Sequence, residues 1–171
     1  IIMLDDLMLS PDVSFYIGAL VQWGFLMAFL YSLVSSINTP DKKRVWLSLV
    51  MTVSYLSSLF IDIQTIQYLD FFYFDIATIF ALVVLNLFIK ERLISAYLST
   101  GLSVNAILFL GMHLDTVVYN NYEPWLFTVL YSWLVNFNDF AMVAVFFIKK
   151  DFLGLVKLKN VVLNLKAPVA R

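Results

Sequence analysis

Residues 125–148 read WLFTVLYSWLVNFNDFAMVAVFFI. The run is apolar and long enough to cross a bilayer, for which about 20 residues suffice. Its middle breaks the pattern with Asn136, Phe137, Asn138 and Asp139. With a rise of roughly 1.5 Å per residue, Asp139 falls about 15 Å from Lys149 and about 21 Å from Trp125. A carboxylate at that depth costs several kcal/mol unless it is neutral, paired or hydrated. Thr128, Ser132, Asn136 and Asp139 recur at spacings of four, four and three, which places them on one helix face.

The rest of the chain repeats the apolar theme. It is 62% hydrophobic and 13% charged over 171 residues, against about 45–50% and about 25% for ordinary globular domains. The excess comes in runs, so the expected class is an all-α polytopic membrane protein. Five spans are expected, at about 14–37, 45–61, 71–89, 93–112 and 125–148, as one transmembrane domain over 1–148. Pro11-Asp12 marks a helix start, and Pro40 ends the first span before Lys42-Lys43-Arg44. Lys90-Glu91-Arg92 is so short a connection that spans three and four form an antiparallel hairpin. Pro124 suits the first position of the fifth helix, where its missing N–H costs nothing. Residues 1–12 are short and acidic, and they read as a surface segment. Asp5 and Asp6 with no preceding base do not fit a secretory signal.

Charge distribution sets the expected orientation. The eleven basic residues are Lys42, Lys43, Arg44, Lys90, Arg92, Lys149, Lys150, Lys157, Lys159, Lys166 and Arg171. Each follows span one, three or five. The N-terminal segment and the loops after spans two and four instead carry Asp5, Asp6, Asp12, Asp62, Asp70, Asp115 and Glu123. Positive charge stays cytoplasmic, so the N-terminus is expected outside and the C-terminus inside, in a bacterial inner or plasma membrane. Residues 149–171 read as a basic amphipathic cytoplasmic tail, with Lys149, Lys150, Lys157 and Lys159 as contacts for lipid or a cytoplasmic protein partner. Within that tail, residues 156–166 also alternate enough for a β-strand.

Polar residues inside spans are the candidates for function. Asp139, Asn136, Asn138, Ser132 and Thr128 form the polar face of span five, and Gln22 and Asn105 lie at similar depths in spans one and four. They read as a polar contact between helices or as the lining of an ion or proton pathway. Asp75 lies close to the start of span three and reads as snorkelling toward the interface or bonding to the loop. Two small-residue stripes, Gly24-Ala28-Ser32 and Ser95-Ser99-Ser103, suit close helix contact. Sharing the interior polar groups across subunits argues for a homo-oligomer or other membrane subunits as partners, besides the phospholipid bilayer.

Catalysis is not expected. The chain holds no GxSxG, HExxH, P-loop or GxGxxG motif. It has no cysteine and one histidine, His113, so no metal or cofactor is expected. No lysine falls within a span, which excludes a retinal Schiff base. The basic tail is better matched to phospholipid than to nucleic acid. The expected function is a non-enzymatic membrane subunit acting as anchor, sensor or effector. The alternative is an oligomeric ion or proton pathway through Asp139.

Overall fold

A computed structural model describes residues 11–57, 67–148, 151, 153–155 and 157. They form five helices: α1 Pro11–Ser35, α2 Lys43–Ser57, α3 Tyr68–Ile89, α4 Leu93–His113 and α5 Leu126–Phe147. A π-helical turn, Leu114–Val118, prolongs α4. Four segments are long and apolar enough to cross a membrane: Phe15–Ser35, Tyr68–Ile89, Leu93–Val118 and Leu126–Phe147. The described residues are thus all-helical, and the chain is an integral membrane protein. α2 is a helix where the second span is expected, but its 15 described residues fall short of a crossing on their own. The acidic segment 1–10, the loop 58–66 and the tail beyond residue 157 lie outside the described residues, as do Lys149, Lys150 and Lys159.

Local chemistry sets the helix ends. The Gln67 N–H donates to Asp70 Oδ2 at 2.9 Å, closing the first turn of α3. At its other end Lys90 adopts a left-handed conformation, φ 55°, and its N–H returns to the carbonyl of Asn86. The Asn86 side chain takes the Glu91 N–H at 3.0 Å. Glu91 Oε2 then accepts the free N–H groups of Ile94 and Ser95 at 2.7 and 3.1 Å. Three residues therefore suffice to reverse the chain, as expected for an antiparallel hairpin.

The start of α5 and the end of α4 both differ from expectation. α5 begins at Leu126, two residues after Pro124, with the Trp125 N–H facing Thr128 Oγ1 at 3.4 Å. α4 continues as helix past His113, because Leu114, Val117 and Val118 extend its apolar run and the Tyr119 N–H bonds to the Leu114 carbonyl at 3.0 Å. Asp115 then anchors the following loop. It accepts from Trp125 Nε1 at 2.7 Å and from Asn121 Nδ2 at 3.2 Å.

The helices form a ring in chain order. Each packs on the next, α5 closes back on α1, and α2 touches α4 across the middle. The core gathers Val21, Phe25 and Ala28 from α1, Leu47 and Met51 from α2, Leu98 and Leu102 from α4, and Met142 and Phe146 from α5. Large apolar residues cover the exterior, among them Phe80, Leu87 and Phe88 on α3 and Leu20 and Trp23 on α1. Such a surface suits lipid.

The small-residue stripe of α1 faces inward. Ala28 and Ser32 are buried, and a Cβ added at Gly24 would come within 3.1 Å of Val143 on α5. The stripe thus serves contact between helices of one chain. Gly18, one and a half turns earlier, has nothing within 4 Å of an added Cβ. Gly24→Leu should therefore destabilise the bundle by about 1–3 kcal/mol, since stiff Val143 must be displaced. Gly18→Leu should stay near wild type. Thermal unfolding of both variants in the same detergent measures the difference.

Candidate functional site

The centre of the ring holds a polar cluster contributed by several helices. Asp139 on α5 is 9% exposed and Asn105 on α4 is 2% exposed, so neither meets bulk water. Asp139 Oδ1 accepts two bonds, from the Tyr55 hydroxyl of α2 and from Asn105 Nδ2, each at 2.7 Å. Asn105 Oδ1 in turn accepts from Asn138 Nδ2 at 2.8 Å. The same Asn138 amide also reaches the Gly101 carbonyl at 2.6 Å. A continuous chain of bonds therefore joins α2, α5 and α4.

Close backbone approach makes this chain fit. Gly101 lies on α4 where a Cβ would fall 2.5 Å from Met142 Sδ and 3.3 Å from Asn138 Oδ1. With no Cβ there, α5 comes near enough for the Asn138 amide to reach a main-chain carbonyl. α1 covers the cluster with an aromatic ring, since Phe25 packs on Tyr55 with centroids 4.4 Å apart. The Phe25 carbonyl also accepts from Thr52 Oγ1 at 3.0 Å, tying α2 to α1.

A second carboxylate adjoins the cluster. Asp75 on α3 lies within electrostatic reach of both Asp139 and Tyr55. Its Oδ2 is buried and has no hydrogen-bond partner among the described residues. The expected snorkelling of Asp75 is therefore corrected: the residue turns into the bundle. The reason is helical phase. Asp75 is three residues before Thr78, a buried position on α3 whose hydroxyl meets Ser54 of α2 at 2.6 Å. Tyr131 of α5 lies within electrostatic reach of both carboxylates, and its ring meets Tyr68 and Phe109 edge-on.

The expected site residues divide into two groups. Asp139, Asn138 and Asn105 come together. Asn136 instead donates to its own helix at the Ser132 carbonyl, 2.7 Å, and Ser132 Oγ donates to the Thr128 carbonyl, 3.1 Å. Gln22 is half-buried on α1, beside the core residue Val21. Of the tail lysines, Lys157 is exposed and its backbone N–H donates to Asp151 Oδ2 at 3.1 Å.

Tyr55 and Tyr131 escaped the sequence reading, which also gave Asp75 no part in the cluster. So did a clasp at the start of the tail, where the buried Tyr97 hydroxyl donates to Asp151 Oδ1 at 2.6 Å and accepts the Leu153 N–H at 2.7 Å. A tyrosine three residues beyond Thr52 in a span rich in hydroxyl side chains was the available signal for Tyr55, and the lone acid of span three was the signal for Asp75.

Among the described residues no group of three or more His, Cys, Asp or Glu side chains could hold a metal ion. The cluster supplies carboxylate, phenol and amide groups. Its hydrogen bonds lock helices together, and its carboxylates are groups that can carry a proton. No protein-family model matches the chain, and neither curated proteins nor solved structures give a match.

The clasp that Asp139 forms with Tyr55 and Asn105 has a direct stability test. Asp139→Asn keeps an oxygen acceptor for Tyr55 and Asn105 and should remain close to wild type. Asp139→Leu orphans both donors, at about 1–3 kcal/mol for each buried group left unsatisfied. Denaturant titration followed by far-UV circular dichroism should order the variants as wild type, then Asn, then Leu. A Leu variant as stable as the Asn variant would exclude the bonds as a structural clasp.

Proposed function

We propose that this chain is a non-enzymatic integral membrane subunit that acts as an anchor, sensor or effector within a larger membrane assembly. One observation carries the reading: Asp139, the residue with most chemical potential, spends its Oδ1 on bonds that join three helices of its own chain. A carboxylate used in that way holds a bundle together. In this reading all five helices cross the membrane. The charge alternation supports an outside N-terminus and a cytoplasmic tail.

Association with a second copy or another subunit then uses the outward apolar faces. The Gly24-Ala28-Ser32 stripe is occupied within the chain. Tyr16, Leu20, Trp23 and Met27 on α1 are exposed and offer a broad apolar surface instead.

The second reading is a proton or cation pathway, and Asp75 favours it. Two carboxylates within electrostatic reach of each other, with no base among the described cluster residues, gain stability when one of them takes a proton or a cation binds. Proteoliposomes with an entrapped pH dye, under an imposed potential, separate the two readings. The subunit reading expects acidification no faster than in protein-free vesicles, together with an assembly larger than one chain in lipid nanodiscs. Flux abolished by Asp139→Asn or Asp75→Asn would replace it with the pathway.

A further inference from the structure

We infer that the turn between α1 and α2 forms a binding site for the headgroup of an anionic phospholipid. The inference rests on the spans lying in lipid and is independent of the function proposed above. An open recess of about 470 Å³ lies where this turn meets the C-terminal end of α3. Lys42 and Lys43 line it together with the apolar side chains of Trp46, Phe88 and Ile89. The recess therefore joins two ammonium groups to an apolar wall at the end of a membrane-spanning helix.

Each part matches a part of the lipid. Lys42 and Lys43 are exposed, as a contact with a phosphate requires. Asp41 also lines the recess, but its Oδ1 accepts the Lys43 backbone N–H at 3.1 Å, so this carboxylate shapes the turn. With two lysines against one aspartate, the lining carries net positive charge. Arg44 and Lys90 follow directly in sequence on either side of the lining residues and add to the positive field. Phe88 is 80% exposed and Trp46 is 52% exposed, and both occupy a helix end. A soluble anion would leave that apolar wall in water. A phospholipid covers it with acyl chain while its phosphate meets the lysines, and indole rings favour this headgroup level.

The test uses the full chain with Trp23, Trp125 and Trp133 replaced by Phe, leaving Trp46 as the reporter. It is reconstituted in phosphatidylcholine vesicles containing either brominated phosphatidylglycerol or brominated phosphatidylcholine. Trp46 should be quenched more strongly by the anionic lipid. Each of Lys42→Gln and Lys43→Gln should lower that preference by about fivefold. Glu123→Gln, at an exposed residue outside the recess lining, should leave it intact. Melting curves on the same samples should show that the surface substitutions keep the fold, and a melted variant is replaced by the milder Lys→Arg pair, which should retain the preference. Equal quenching by both lipids, or a preference that survives loss of both lysines, would overturn the site. Reversal of the preference by inorganic phosphate at constant ionic strength would assign the recess to the free anion instead.

Discussion

A carboxylate buried among apolar helices must be satisfied by the fold, and in this protein the bonds to Asp139 from Tyr55 and Asn105 meet that demand. Water is remote, so every bond comes from another helix, and each bond fixes that helix in rotation and height. Tyr55 sets α2 against α5. Asn105 sets α4, and Asn138 repeats the constraint one residue away through Asn105 Oδ1 and the Gly101 carbonyl. A rotation of α4 by one residue, roughly 100°, would break all of these together. Apolar packing tolerates such slippage far better, because lipid tails solvate leucine as well as a neighbouring helix does.

This explains why the small residues and the polar residues fall at the same junctions. Gly24 lets α1 approach Val143, and Gly101 lets α5 approach closely enough for an amide to reach the main chain. Thr52 does the converse, sending a hydroxyl across to the Phe25 carbonyl while also bonding the Ser48 carbonyl of its own helix. The expectation of an oligomer rests on five helices of this length shielding only a small interior. They shield their polar groups by linking Asp139, Asn105 and Asn138 to one another and by returning Asn136 and Ser132 to their own backbone. Assembly, where it occurs, therefore has to draw on the outer surface.

Helices and their approximate bounds were legible because length and hydropathy reflect the solvent the chain meets. Asp139 could be placed in the interior for the same reason. Its partners were less legible. Apolar residues surround α1, α3 and α4 almost completely, so the pattern carries little information about which side turns inward. Asn105 and Asn138 were recognisable as polar groups at depth, yet their pairing depends on helix rotation. Asp75 was misread because depth along the sequence was taken as distance from water, while helical phase sends it inward with Thr78. Tyr55 was hidden because the acceptor of its hydroxyl, Asp139, lies on another helix 84 residues away. The Tyr97–Asp151 clasp joins residues more than fifty positions apart, and no local pattern signals it.

The arrangement also constrains how such a cluster could respond to its surroundings. Asp75 brings a second carboxylate beside the first, but only Asp139 has paired donors, and the buried Oδ2 of Asp75 has no partner among the described residues. The α3 side is therefore where a hydrogen-bond donor is wanting among the described residues. A proton taken by Asp75 would relieve repulsion and leave the clasp closed. A proton taken by Asp139 would weaken the charge that draws in Tyr55 and Asn105, loosening three helices together. The two carboxylates are thus unequal in consequence. One tunes the electrostatics of the interior, and the other holds the bundle in register.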